Sequence, residues 1–208
     1  MIMLRIVPLL IGYAFGCIQT AFIAGKVLKK IDVREHGSGN AGTSNVIRVI
    51  GKRAGLLVFV CDVLKAVAAF VICAIIFSGG GSFFPTSLPL EPGLYAGLGV
   101  ILGHNFPFFL KFRGGKGVAS SLGVMLALDW RAAVAVYLVG VFILAITKYI
   151  SLTSLAMALL FPILLLILSH RPETIIIAAI MTALVFILHR GNIQRLFNGT
   201  ERKLVIRA

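Results

Sequence analysis

Apolar residues run in long blocks separated by short polar segments, and those blocks set the architecture. A helix needs roughly 20 apolar residues to cross a bilayer. By that measure the pattern predicts membrane spans over about 4–25, 54–78, 93–110, 116–129, 131–147, 152–169 and 173–190. The third is punctuated by Gly97, Gly99, Gly103 and Pro107 and the fourth is short, so a re-entrant pair fits 93–129 as well as two crossings do. A turn-rich stretch, Gly79-Gly80-Gly81-Ser82 with Pro85, Pro89 and Pro92, is expected outside the bilayer. The first span follows Arg5 but shows no A-x-A-like cleavage site and stays apolar to Gly25, so it is read as a retained helix. The expectation is an all-α membrane protein of seven transmembrane helices, with residues 1–208 forming a single integral membrane domain.

Composition agrees with this. The chain has 208 residues, 59% hydrophobic and 13% charged, with mean hydropathy +1.03. A soluble domain of this length could not cover so much apolar surface. Charge adds orientation. There are 20 Lys+Arg against 7 Asp+Glu, net +13. With the N-terminus outside, segments 26–53, 111–116, 148–151 and 190–208 lie inside and hold nearly all of the cations; the outer segments keep only Arg5, Arg131 and Arg171. That asymmetry predicts a cytoplasmic C-terminus and polar loops gathered on the cytoplasmic face. Nucleic acid is excluded as a partner, because no aromatic-basic platform exists and the charges sit between apolar spans. An anionic substrate remains as a second cause of the excess. Cys17, Cys61 and Cys73 lie in apolar segments with no metal spacing, as buried structural thiols do.

One stretch departs from the greasy background: Gly37-Ser38-Gly39-Asn40-Ala41-Gly42-Thr43-Ser44-Asn45, closed by Arg48. Glycines let backbone N–H groups approach a ligand, Ser, Thr and Asn add donors, and arginine supplies a planar cationic fork. This is the chemistry of a phosphate cradle. The stretch also matches GxGxxG with Asp62 20 residues on, but no strand precedes it and Asp62 lies in an apolar span, which excludes a dinucleotide fold. A flexible connector would explain the glycines but not the density of donors. Gly114-Gly115-Lys116-Gly117 resembles the end of a Walker A loop, yet lacks its spacing and its magnesium-binding hydroxyl. Lys116 leading into a helix still favours an oxyanion, whereas a cationic turn placed only by topology is the plainer alternative.

Asp62 and Lys65, three residues apart within a span, are expected to pair with each other, with support of a site as the second role. His104-Asn105 and His189 fall at inner ends of spans, and imidazole can serve as a base or hold a phosphate oxygen. His36 and His170 read as loop residues, and the four histidines form no metal site. No G-x-S-x-G, no H-E-x-x-H and no His followed four residues later by Asp occurs, so neither a serine hydrolase nor the soluble-headed lipid acyltransferases that carry the His/Asp pair fit the chain.

Together these motifs closely resemble the bacterial membrane acyl-phosphate:glycerol-3-phosphate acyltransferases, the PlsY family. The likeness runs almost end to end. It rests on Gly37-Ser38-Gly39-Asn40 with Gly42, Asn45 and Arg48; Asp62 to Lys65; Gly103-His104 with Pro107; Gly114-Gly115-Lys116-Gly117-Val118-Ala119; Ser151-Leu152 with Ser154; and His189-Arg190 with Asn192-Ile193 and Arg195-Leu196. Departures are Cys17-Ile18-Gln19-Thr20, where a proline is expected before the threonine, Thr43-Ser44, and Gly191 in place of a frequent acidic residue.

The resemblance implies transfer of a fatty acyl group from acyl phosphate to the 1-hydroxyl of sn-glycerol 3-phosphate, giving lysophosphatidic acid and phosphate in phospholipid synthesis. It further implies no metal or coenzyme, a bacterial cytoplasmic (inner) membrane location with the site facing the cytoplasm, and a functional link to an enzyme that makes acyl phosphate from acyl carrier protein. The residue chemistry fits, since both substrates carry phosphate and phosphate is a good leaving group, so orientation and charge matter more than a covalent nucleophile. The catalytic candidates are His189, Lys116, Arg48, Ser38 and Asn192. The phosphate- and substrate-binding candidates are Gly37, Ser38, Gly39, Asn40, Gly42, Thr43, Asn45, Arg48, Gly114, Gly115, Lys116, Gly117, Ser151, Ser154, His189 and Asn192. His189 either accepts the hydroxyl proton or binds phosphate while the substrate's own phosphate takes it. A transporter or binding protein for an organic phosphate would need similar loops, but the chain shows no inverted repeat or matched pair of broken central helices.

Overall fold

The computed structural model describes residues 3–77 and 90–204, so the turn-rich stretch around Gly79–Ser82, Pro85 and Pro89 lies outside the described residues. The described residues are helical, with no strand. In order they form α1 (Met3–Gly16), α2 (Thr20–Lys29), a 3-10 turn (Val33–Glu35), α3 (Thr43–Val49), α4 (Lys52–Ile76), α5 (Leu90–Asn105), a second 3-10 turn (Phe108–Leu110), α6 (Val118–Leu128), α7 (Trp130–Thr147), α8 (Ile150–Ile167), α9 (Pro172–Leu188) and α10 (Arg190–Phe197). Pro92 belongs to the first turn of α5 rather than to a loop, a position where its missing N–H has no helical partner to lose.

Among the described residues, five stretches are long and apolar enough to cross a membrane: Met3–Lys29, Lys52–Ile76, Leu90–Leu110, Trp130–Thr147 and Ile150–Ile167. A sixth results if α9 and α10, bent by 61° at His189, count as one span. Of the seven expected spans the fourth is the exception. α6 has 11 residues, roughly 16 Å at 1.5 Å per residue, against an apolar core of about 30 Å.

The chain folds as two compact units, one ending at Leu128 and the other beginning at Asp129. The first is built around α1, α4 and α5. In lipid the apolar effect gives helices little reason to associate, so close backbone packing carries the contact. α1 and α5 meet through reciprocal glycine pairs. A β-carbon on Gly12 or Gly16 would strike the carbonyl of Ala96 or Val100, and one on Gly99 or Gly103 would strike that of Leu9 or Tyr13.

The first expected span is broken at Cys17–Gln19, without a proline. The carbonyls freed there are held by side chains. Buried Gln19 donates through Nε2 to Gly16 O (3.2 Å), Gly103 O (3.3 Å) and His104 O (3.0 Å). Lys65 Nζ donates to Ile18 O at 2.8 Å. The expected Asp62–Lys65 pair is present at 2.7 Å, and Thr20 Oγ1 donates to Asp62 Oδ1 at 2.7 Å. One buried ion pair thus closes a break in a membrane helix.

The second unit holds α7 to α10 and the tail. Asp129 caps α7, accepting from Arg131 N (3.0 Å), and its other oxygen meets His170 Nε2 at 3.0 Å. Hydrogen bonds from the Arg131 side chain above all, and from His170, hold the Asp129 carboxyl well below the usual carboxylate range. Lys148 ends α7 in the left-handed conformation, and Leu204 N donates to its carbonyl at 2.7 Å, fastening the tail.

Candidate active site

In the first unit the stretch between α2 and α3 is shaped before it can bind anything. Asp32 starts the 3-10 turn by accepting from Arg34 N at 2.9 Å, and the Arg34 guanidinium grips the same carboxylate, with Nη2 to Oδ2 at 2.7 Å. That side-chain bond outweighs partial burial and lowers the Asp32 pKa. Arg34 Nη1 also donates to Leu110 O (3.0 Å) and Arg113 O (3.2 Å), which ties this loop to the segment leading into Gly114.

Asn45 is the template of the glycine-rich loop. It is fully buried. Its Oδ1 accepts from Ser38 N at 2.7 Å, and its Nδ2 donates to Val33 O (2.7 Å) and His36 O (3.0 Å). The side-chain amide therefore substitutes for a strand that the loop lacks. Gly37 and Gly39 take the left-handed backbone, φ +64° and +73°, a conformation that costs glycine little. Ser38 and Gly39 are exposed and Asn40 is half-buried. The Thr43 hydroxyl is shielded and without a hydrogen-bond partner. Ala41, Val46 and Val33 anchor the loop in a small core with Ala21, Ala24, Ala54 and Val58. Arg48 stands exposed in the last turn of α3.

The second glycine-rich turn rests on the end of α5. Gly114 N donates to Asn105 O (3.1 Å) and Gly115 N to His104 O (3.0 Å). His104 is buried, with Nδ1 3.0 Å from Lys65 Nζ. A β-carbon on Gly115 would overlap His104 Nε2 and come within 2.7 Å of Ala41 O. Residue 115 is glycine because the two glycine-rich loops meet there. Gly117 lies over the Asn105 amide, whose two polar atoms are buried without partners. Lys116 is half-buried, two residues ahead of α6.

In the second unit Ser151, Asn192 and Arg195 converge on one carboxylate. Glu201 Oε1 accepts from Ser151 Oγ (2.9 Å) and Asn192 Nδ2 (2.7 Å), and Oε2 accepts from Arg195 Nε (2.7 Å). Burial pushes the Glu201 carboxyl up, but bonds from Asn192, Arg195 and Ser151 prevail, and its pKa lies below the ordinary value. His189 is buried at the α9–α10 bend and donates from Nδ1 to Val185 O at 2.8 Å. A carbonyl only accepts, so in the neutral ring Nε2 carries the lone pair. Ser154 is buried, its hydroxyl donating to Ile150 O at 2.8 Å.

Within the first unit, then, the structure brings together the 37–48 and 114–117 motifs, and within the second, Ser151 and Asn192. Three contributors escaped sequence reasoning. Asp32 and Arg34 belong to no motif that spacing or residue type would mark. Glu201 had a signal, being the single acid among the cations after position 189. Among the described residues no group of three or more His, Cys, Asp or Glu is placed to hold a metal ion.

An all-helical integral membrane protein with two cationic, glycine-rich loops packed together is the class these features define. Comparison with known proteins narrows it. The model of the glycerol-3-phosphate acyltransferase family matches residues 6–199. Curated glycerol-3-phosphate acyltransferases of Thermoanaerobacter pseudethanolicus and Clostridioides difficile are 40% and 42% identical, covering 97% and 96% of this chain and 96% and 95% of theirs. Two solved structures of PlsY, an integral membrane glycerol 3-phosphate acyltransferase, are each 32% identical over 97% of this chain. The glycerol 3-phosphate form has a TM-score of 0.86 over 96% of its chain, and the lysophosphatidic acid form 0.83 over 95%. The chain belongs to the glycerol-3-phosphate acyltransferase family, of the PlsY type.

Proposed function

We propose that residues 1–208 act as one acyltransferase domain that moves a fatty acyl group from acyl phosphate to the 1-hydroxyl of sn-glycerol 3-phosphate. The hydroxyl oxygen bonds to the acyl carbon, the acyl–phosphate C–O bond breaks, and phosphate leaves with the bonding electrons. Lysophosphatidic acid and phosphate result. The observation that carries this reading is the packing of Gly115 against Ala41, which joins two cationic glycine-rich loops in a chain whose solved relatives are glycerol 3-phosphate and lysophosphatidic acid forms.

The Gly37–Thr43 loop cradles phosphate oxygens through the exposed Ser38 and half-buried Asn40 side chains, with Thr43 beside them, since the N–H groups of Ser38, Gly39 and Gly42 already bond to Asn45 Oδ1, His36 O and Asn40 O. Asn45 holds that backbone in shape. Arg48 and Lys116 neutralise the charge that gathers on the leaving phosphate, while Gly114, Gly115 and Gly117 keep the second turn close. Ser151 and Asn192, with Ser154, position a head group. The hydroxyl proton passes to His189 or to the substrate's own phosphate. The Nδ1–H bond to Val185 makes Nε2 the ring nitrogen able to take it. Burial of the acyl chain in lipid beside a cytosolic alcohol suits an inner-membrane enzyme whose cationic loops face the cytoplasm, as the charge asymmetry suggests. The donor then comes from an enzyme that converts acyl carrier protein thioesters to acyl phosphates.

The test is phosphate release from a synthetic acyl phosphate by purified protein in detergent, with and without glycerol 3-phosphate, beside Lys116→Ala. Release that needs the acceptor, yields lysophosphatidic acid and collapses in the variant is expected. Folded wild-type protein that shows no acceptor-dependent release would sink the reading and turn attention to glycerol 3-phosphate uptake in vesicles.

A further inference from the structure

We propose that His104 is a positioning residue for acyl transfer: its ring, fixed in one tautomer by Lys65, holds the Gly114–Gly117 turn and the Gly37–Asn45 loop at their working separation. The inference rests on the acyl-transfer reading of those loops.

Lys65 sets the proton on the ring. An ammonium has three hydrogens and accepts none. Lys65 Nζ has Asp62 Oδ1 at 2.7 Å, Ile18 O at 2.8 Å and His104 Nδ1 at 3.0 Å, which are three acceptors for three hydrogens. Gly16 O, at 3.4 Å, is the outlying fourth. Asp62 Oδ1 lies farther from the ring than Lys65 does, 3.6 Å from Nδ1. Nδ1 is therefore an acceptor, and the neutral ring carries its hydrogen on Nε2.

That N–H is directed where the two loops meet. Nε2 occupies the volume a β-carbon on Gly115 would need, a volume that the carbonyl of Ala41 also borders. The backbone of the same histidine accepts from Gly115 N. His104 thus grips the residue before Lys116 at two points, and the height of its ring decides how closely that residue approaches the other loop. An apolar ring of similar size would fill the space. It would leave the third Lys65 hydrogen only the longer bond to Gly16 O, at 3.4 Å, and place no polarised hydrogen between the loops. Asp62 and Lys65, which lie within α4, act on the loops through this ring.

The variants separate the two nitrogens. Glutamine carries an N–H near the position of Nε2, asparagine reaches only the position of Nδ1, and phenylalanine keeps only the ring. Wild type, His104→Gln, His104→Asn and His104→Phe are assayed in detergent with acyl phosphate and glycerol 3-phosphate varied separately, beside their thermal midpoints. Glutamine is expected to keep kcat/KM within about threefold, while Asn and Phe lose about 30- to 100-fold, the scale of a displaced positioning group. The loss should appear in kcat and in KM for a phosphate substrate even where the midpoints of Gln and Asn agree. Equal losses in Gln and Asn, or wild-type kinetics in Phe, overturn the proposal. Should the variants not fold, 15N spectra of histidine-labelled wild type decide it: a neutral ring protonated at Nε2 is expected, and an Nδ1–H or cationic ring refutes it. If folded wild type transfers no acyl group, the acyl-transfer reading fails separately. Calorimetric binding of glycerol 3-phosphate to the same four proteins must then give the same ranking, and a flat ranking overturns the proposal.

Discussion

The two units prepare polar groups by opposite means. In the first, the 37–48 and 114–117 loops are backbone surfaces given shape by a buried amide, Asn45, and a buried imidazole, His104. In the second, Ser151, Asn192 and Arg195 are side chains gathered on a carboxylate, Glu201. Backbone groups survive any substitution but proline, so the first arrangement is vulnerable mainly to volume. A carboxylate can be neutralised, so the second is vulnerable to charge and acid. The first unit adds two ion pairs, Asp32–Arg34 and Asp62–Lys65, to a shape set by close packing, whereas the polar group of the second hangs on one carboxylate.

The sharpest way to break this contrast is Gly115→Ala. It removes no charge, yet its methyl must displace His104 or the Ala41 carbonyl. A loss of about 100-fold in kcat/KM is expected, and near-wild-type turnover would show that loop separation is not critical. Next comes Asn45→Ala, which deletes three hydrogen bonds, one buried and two partly buried. Leaving Ser38 N unpaired, and Val33 O and His36 O with only the N–H groups of His36 and Gly39, should cost about 1–3 kcal/mol, read as a lower thermal midpoint together with about tenfold weaker kcat/KM.

Glu201→Gln probes the other unit. It keeps an acceptor for Ser151 and Asn192 but loses the charge that Arg195 meets. A cost of about 1–2 kcal/mol is expected, confined in hydrogen exchange to α8, α10 and the tail; protection lost equally in α4 and α5 would contradict separate support. The same residue gives a pH signature. Its folded pKa lies below the ordinary 4.5. The stabilisation is therefore complete above that pH, fades as pH falls through the lower folded value, and should be missing from the Gln variant. The smallest effect belongs to Phe142→Leu on α7. Phe142 is 66% exposed, and neither activity nor midpoint should move beyond about 0.5 kcal/mol; a larger change would mean that α7 does more than face lipid.

Much of this was legible in the sequence, for identifiable reasons. Long apolar blocks carry their own helical signal, so α4, α7 and α8 fall close to the expected bounds. The break after Gly16 was hidden because Cys17 and Ile18 continue the apolar run, and only Gln19 marks it. What satisfies the carbonyl freed at the break is Lys65, which comes dozens of residues later. The shortness of α6 was foreseen, but its 11 residues follow from where the Gly117 turn ends and Asp129 begins the next cap. In the site, glycines and cations advertise themselves by type. Asn45 was read as a ligand group, whereas its amide braces the loop, because a side chain's partners depend on a fold that spacing does not reveal. Glu201 was missed for the same reason, since nothing local links it to Ser151, 50 residues away.

The break between α1 and α2 bears on the order in which the chain is made. Ile18 O finds its donor in a side chain 47 residues downstream, and Gln19 meets the carbonyls of residues 84 and 85 positions later. During synthesis the first hydrophobic segment reaches the membrane with an unsatisfied kink that lipid cannot solvate. It must wait with that kink in the water-accessible shelter of the insertion machinery until α4 and α5 arrive. Translation should therefore pass through a checkpoint. A protease should cut near Cys17–Gln19 in chains stalled before Lys65 and spare those stalled well beyond Asn105, and equal cutting in both would rule the checkpoint out.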